Sequence, residues 1–329
     1  MRTFLNSKSN FTRFAWFVLF FLLLVILWGA FVRATGSGAG CGSHWPLCNG
    51  VVVPREAQVE TLIEFTHRVT STFSGILVLM MLWWAFRLYP KGHIVRKAAV
   101  WSTIFIITEG LVGAGLVLFE WVADNESVGR AVSIAVHLIN TFFLLAAVTL
   151  TAWWSGSVGA EGSGNFSLRL RGQGRIGWMI TGGLAMLLIL GASGAITALG
   201  DTLFPSGTLR EGIGQDFLPT AHFLVRLRIY HPILAVFTGI YLFMTAPIIA
   251  SARPSIGALA FSKAVKVLVV LQLIAGVVNI LLNVPIWMQL VHLLLADLLW
   301  IAVVLLGAAT LSQPEMIAQA MEPLPQADD

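Results

Sequence analysis

Apolar residues run almost unbroken through most of this chain, interrupted at intervals by short clusters of charge, glycine and proline. A helix that crosses a membrane needs about 20 mostly apolar residues. Eight stretches meet that need, at roughly 14–32, 62–86, 98–118, 130–153, 176–197, 229–250, 264–283 and 287–311. The pattern predicts an all-α integral membrane protein with eight transmembrane helices. The first stretch follows Arg2, Lys8 and Arg13. Its 19 uncharged residues exceed the usual apolar core of a signal peptide, and no clear small-x-small cleavage site follows, so it reads as a retained helix.

Composition agrees with this pattern. The chain is 57% apolar and only 11% charged, against about 25% charge in a soluble domain, and its mean hydropathy is +0.84. No soluble catalytic domain fits between the spans, so any chemistry takes place in or beside the bilayer. The pI of 9.4 does not imply a nucleic-acid partner, because the basic residues serve topology. Thirteen of the 20 fall in segments on the N-terminal side: Arg2, Lys8, Arg13, Arg87, Lys91, Arg96, Lys97, Arg169, Arg171, Arg175, Arg253, Lys263 and Lys266. The others are mixed with Glu56, Glu60, Glu120, Asp124, Glu126, Asp201, Glu211 and Asp216. By the positive-inside rule both termini are cytoplasmic.

This orientation starts the second, fourth, sixth and eighth spans on the outer side. His67, His137, His231 and His292 then each lie within about two turns of a span's start, roughly 5–11 Å deep at 1.5 Å per residue. A lone histidine on an apolar helix is usually a satisfied core residue. Four in one layer, one on every second helix, instead form two pairs. Imidazoles from two facing helices can ligate one iron from both sides of a flat macrocycle, so the pattern points to haem. His44, His93 and His222 fall in loops, where surface roles are expected.

The pairs belong to an internal repeat. His67 and His231 are 164 residues apart, His137 and His292 are 155 apart, and Glu109-Gly110-Leu111-Val112-Gly113 matches Gln272-Leu273-Ile274-Ala275-Gly276 at an offset of 163. Residues 1–155 and 156–329 thus read as two four-helix bundles related by an axis along the membrane normal.

The halves differ beside the ligands. Glu64 precedes His67 by three residues, so both share a helix face, and Arg68 follows; the corresponding neighbours of His231 are Arg228 and Pro232. A carboxylate there can relay protons or stabilise a cationic intermediate, while Arg226 and Arg228 suit haem propionates. The plainer alternative makes Glu64 and Arg68 interfacial charges. The asymmetry favours one reactive site and one permanent cofactor site. Ahead of them, the loop from Thr35 to Gly50 is glycine-rich and holds Cys41 and Cys48 seven apart, on the side where disulfides persist. A structural staple and a redox role both fit. A zinc site would have only three ligands even with His44. Two acids inside spans, Glu109 and Asp297, fit either a polar packing contact or a proton path.

Over about residues 14–311 the chain resembles the haem A synthase family. The resemblance is carried by VRATGSGAGCGSHWPLC (Val32 to Cys48) and IEFTHR (Ile63 to Arg68), with support from AHFLVRLRIYHP (Ala221 to Pro232) and VHLLLADLLW (Val291 to Trp300). It implies an enzyme that oxidises the position-8 methyl of haem O to a formyl group, giving haem A for terminal oxidases. The substrate haem would sit between His67 and His137, with Glu64 as the catalytic carboxylate. A haem b cofactor would sit between His231 and His292 and pass electrons to the first site. There the methyl would be oxidised stepwise through a hydrated aldehyde. Cys41 and Cys48 match a family subset with an outer-loop disulfide to which a redox role is attributed. The implied partners are the haem O-forming farnesyltransferase and cytochrome oxidase, and the lack of a convincing transit peptide in the first thirteen residues favours a bacterial plasma membrane over the mitochondrial inner membrane. Two departures stand out: His44 replaces the usual acidic residue before Trp-Pro, and the second half has no cysteine pair. The competing expectations are a non-enzymatic di-haem electron carrier and a transporter with parallel repeats.

Overall fold

The computed structural model describes residues 7–55, 58–157, 166–168 and 172–314; Arg2, Glu56, Arg169 and Arg171 of the charge pattern lie outside the described residues. Among the described residues, eight helical segments are long and apolar enough to cross a membrane. They are α1 (Lys8–Ala34), α2 (Val59–Leu88), α3 (Ile94–Leu118), α4 (Val128–Ser157), α5 (Gly174–Leu203), a sixth made of α7 (Phe223–Leu227) and α8 (Tyr230–Ala252), then α9 (Ile256–Leu281) and α10 (Ile286–Leu311). A short α6 (Leu209–Asp216) precedes α7. Phe166–Leu168 and Ser312–Pro314 form a three-residue antiparallel pair. The all-helical membrane fold expected from the apolar pattern is therefore present, with this small ribbon added.

The helices begin one to eight residues before the apolar runs that announced them. Hydropathy registers only the apolar part of a helix, whereas a polar cap can start it earlier. Ser7 Oγ accepts the Asn10 amide (3.3 Å) and Ser255 Oγ accepts the Ala258 amide (3.0 Å). His93 caps α3 through its ring, Nδ1 accepting the Val95 amide at 3.2 Å. The gap between α7 and α8 has a local cause. Pro232 has no N–H to offer the Arg228 carbonyl, so the ladder fails there although Arg228 and Ile229 keep helical dihedrals.

Among residues 8–157, α1 packs on α2 and α4, and α3 packs on α2 and α4. Among residues 174–311, α5 packs on α8 and α10, and α9 packs on α8 and α10. The two sets meet through α4 on α5 and α10, and α1 on α10 and α5. Helix α10 is thus central, and its stretch Leu299 to Leu306 is wholly buried. Trp300 locks this seam: its ring stacks on Phe142 at 5.0 Å and its Nε1 donates to the Phe142 carbonyl at 2.6 Å. Large apolar side chains such as Phe20, Trp83, Phe237 and Ile274 stay exposed on the outer helices. That surface suits lipid tails, against which packing rather than hydrophobic burial holds helices together.

Candidate functional site

The four histidines of α2, α4, α8 and α10 do lie at one level. His67 is eight residues into α2, His137 nine into α4, His231 eight beyond Phe223 and His292 six into α10. At 1.5 Å per residue they are about 9–14 Å along their helices, deeper than the sequence indicated because the helices start earlier. All four rings are half-buried.

Each ring rests on a glycine of another helix. A Cβ on Gly29 would come within 2.8 Å of His67 Cε1, and one on Gly194 within 2.8 Å of His231 Cε1. Gly113 and Gly276 lie similarly against His137 Cε1 (3.9 Å) and His292 Cε1 (3.3 Å). Helix α1 can approach α2, and α5 can approach α8, only because no side chain intervenes at Gly29 and Gly194.

Around His67 the polar groups converge. Glu64 is 3% exposed despite its charge. Its Oε1 accepts Arg68 Nη2 at 2.5 Å and Nε at 3.0 Å, and its Oε2 accepts the backbone amide of Cys41 at 2.8 Å. Arg68 Nη1 in turn donates to the carbonyls of His44 (2.6 Å) and Leu47 (2.7 Å). The glycine-rich loop can sit this low because Gly40 touches the backbone of Glu60, where a Cβ would come within 2.5 Å of the carbonyl. Thr61 Oγ1 fixes that approach by donating to the Gly40 carbonyl at 2.7 Å. Cys41 and Cys48 are joined as a disulfide and both are buried. Glu64 and Arg68 are therefore not free interfacial charges. They clamp the disulfide loop over the turn that carries His67.

The second pair is built differently. The His231 and His292 rings stand 6.3 Å apart between centroids and 80° to one another. Ser193 Oγ donates to the Leu190 carbonyl (2.8 Å), so at 3.0 Å it is placed to accept His231 Nδ1–H. Gln272 Nε2 lies 3.3 Å from His292 Nε2. Arg228 does not stand free for a propionate. Its Nη1 pairs with Asp201 Oδ1 (3.2 Å), its Nε lies 3.8 Å from Asp216 Oδ1, and its Nη2 donates to the Phe204 carbonyl (2.9 Å). Burial raises the Asp216 carboxyl above its ordinary value, against the opposing pull of Arg228. Arg226 is exposed.

Other residues fall out as follows. His93 is buried (5% exposed) and packs on Tyr89, a correction to the expected surface role: an imidazole that caps a helix from inside is shielded by the cap it makes. Burial also pushes the Tyr89 phenol up to about 12. His222 caps α7 and stacks on Phe204, and His44 is exposed. Glu109 reaches His137, Oε1 lying 3.5 Å from Nδ1. Asp297 is fully buried in α10, and neither carboxylate oxygen has a hydrogen-bond partner among the described residues. The sequence reading passed over Arg33, which links the halves at this level. It donates to the Ala198 carbonyl (2.6 Å), Thr202 Oγ1 (2.6 Å) and Gln289 Oε1 (2.9 Å). Its position at the last charged step of an otherwise apolar α1 was the available signal.

These residues fit haem. The His231 and His292 rings stand 6.3 Å apart between centroids, close enough for both imidazoles to hold one metal between them. Nδ1 of His67, His137 and His292 is buried without a hydrogen-bond partner among the described residues, and binding a metal through one ring nitrogen would settle the tautomer of each ring. His67 also lies within electrostatic reach of His137. Among the described residues no three His, Cys, Asp or Glu side chains converge on one point.

A 305-residue region, 93% of the chain, is 51% identical to a "Protoheme IX farnesyltransferase" of Thermus thermophilus, covering 49% of that protein. The chain thus spans about half the length of these curated relatives. Shorter matches over 98 residues, 30% of the chain, are to "Heme A synthase" of Shouchella clausii (47% identical, 33% of that protein) and of Bacillus cereus (43% identical, 32% of that protein). Residues 12–304 match the family model described as cytochrome oxidase assembly protein, COX15-CtaA. With that match over most of its length, the chain belongs to the COX15-CtaA family of cytochrome oxidase assembly proteins.

Proposed function

We propose that this chain is a haem A synthase, oxidising the position-8 methyl of haem O to a formyl group. The observation that carries the reading is one histidine layer with two differently furnished pairs. His67 and His137 would hold the substrate haem. His231 and His292 would hold haem b, which supplies one-electron transfer when bound. Beside His231 stands Ser193, with nothing equivalent to the clamped Glu64 of the first pair, which suits the second pair to electron supply.

The chain's own residues would do the remaining work. Glu64 is held by three N–H donors from two residues, so its charge stays one helical turn from His67 without swinging. A carboxylate fixed in this way can stabilise positive charge developing on the substrate or pass a proton. The apolar helix faces would hold the macrocycle and its farnesyl tail and keep water out. The halves 1–155 and 156–329 act as parallel repeats, with both termini on the cytoplasmic side of a bacterial plasma membrane. Haem O-forming farnesyltransferase and cytochrome oxidase would stand before and after it. Supporting this are the family membership, the relatives named for haem A synthesis and the paired glycine seats. The farnesyltransferase name describes a protein about twice as long.

The test is liquid chromatography with mass detection of haems extracted from the purified protein, expressed beside a haem O source. Haem A or its hydroxylated precursor is expected, and its loss in His67→Ala. Haem b alone in both proteins would instead identify a non-enzymatic di-haem electron carrier.

A further inference from the structure

Glu109 sits in a polar shell that the other half lacks. Its Oε1 accepts Thr141 Oγ1–H, and its Oε2 accepts Asn140 Nδ2–H at 2.5 Å. Asn140 is itself oriented, donating to the Phe105 carbonyl (2.9 Å) and accepting from Thr108 Oγ1 (2.7 Å). These bonds hold Oε1 3.5 Å from His137 Nδ1, a buried nitrogen with no hydrogen-bond partner of its own. At the repeat offsets of 163 and 155, Thr108, Glu109, Asn140 and Thr141 become Leu271, Gln272, Leu295 and Ala296. Only the amide survives, and it is neutral: Gln272 Nε2 lies beside His292 while its Oε1 is buried and unpartnered.

We propose that Glu109 is a positioning residue for the first site: its carboxylate takes the Nδ1–H of His137, fixes that ring, and would make it a more electron-donating ligand than His292. A partner that holds the far nitrogen of a metal-bound imidazole sets ring orientation and ligand basicity, and through them the potential of the metal. Iron held by His67 and His137 is then poised at a lower potential than iron held by His231 and His292. The same residue type at both sites would have made the potentials alike. This rests on the proposed ligand pairs.

The test is a potentiometric titration of the haem-loaded protein, followed by its visible spectrum, with haem per chain measured alongside. Glu109→Gln takes the charge out of the contact with His137 Nδ1. It should leave haem content unchanged and raise the reduced-to-oxidised ratio of one haem component about ten-fold at fixed ambient potential, ~59 mV for one electron. Gln272→Glu should lower the other component in the opposite sense. A Glu109→Gln protein with full haem content and both components unmoved overturns the proposal. If that variant does not accumulate, Gln272→Glu decides, and an unshifted potential there is equally fatal. Failure of the ligand assignment would show separately, as His137→Ala retaining both haem signals.

Discussion

His67 and His231 occupy matching places, each pressed against a glycine of the helix before it, yet their surroundings have little in common. Over His67 lies a disulfide-closed loop joined through the Cys41 amide to Glu64 and through two carbonyls to Arg68. His231 has a single serine, and the charge nearest to it in sequence, Arg228, is turned into an ion pair with Asp201. Close helix approach builds the seat, and it needs only glycine. What the seat can do depends on side chains from a loop and from neighbouring helices. The two halves thus share the seat and differ in the side chains gathered around it; on the proposed function, that difference separates holding a haem from acting on it.

The sharpest way to break the comparison is at the seats. Gly29→Leu should displace His67 and remove one haem per chain, the N-terminal one; Gly194→Leu should remove the other. Haem content with haem type in the extract checks both, and loss of the same haem in each would undo the assignment. Next comes Glu64→Gln. On the proposed function, product formation should fall about 10²–10⁴-fold, the usual range for a general acid or base, with haem content retained. Full haem A production in this variant would remove Glu64 from the catalytic reading.

The equivalent cluster in the second half should behave as structure. Asp201→Asn breaks the pair with Arg228, which is 10% exposed, and should cost about 3 kcal/mol in resistance to unfolding. Product formed per folded protein should stay unchanged. The disulfide closes a loop of eight residues, for which chain entropy contributes about 2.5 kcal/mol. Cys41→Ser with Cys48→Ser should lower the melting temperature accordingly. A fall in product larger than the fall in folded protein would favour a redox role over a staple.

The smallest difference lies at the caps of α3 and α9, where His93 stands in one half and Ser255 in the other. Burial, with Lys8 and Arg96 nearby, holds the His93 imidazole below its ordinary value. As pH falls through about 6.5, the unfolded chain takes up a proton that the folded ring resists. The stability due to the neutral cap is therefore present above that pH and lost on acidification. His93→Ser should keep the cap and flatten this part of the stability–pH curve, measured by thermal melts.

Much of this arrangement was legible before any coordinates. Eight spans followed from apolar length, because lipid leaves a backbone little choice but to bond within its own helix. The histidine layer followed from counting along spans of alternating direction, and Glu64 stood out as a carboxylate on the ring's own face. The repeat pairing of Glu109 with Gln272 was visible as well, but not what either side chain touches. Arg228 misled: a basic residue beside a ligand histidine suggested an anion from outside the chain, and Asp201 and Asp216 supply the anions from within it. His93 misled for a similar reason, since a loop position reveals nothing about whether a cap is covered.

The sequence by itself determined the number of membrane-length spans and how far along its span each of the four imidazoles stands. These depend on apolar length and on a rise per residue that neighbours do not alter. Only the tertiary structure decided that each ring meets a glycine and that the disulfide loop reaches down to Glu64. It alone turned Arg228 inward and brought Glu109 to His137. Those contacts join residues from different helices and loops, and they depend on distances of an ångström or less between elements whose separation no periodicity encodes.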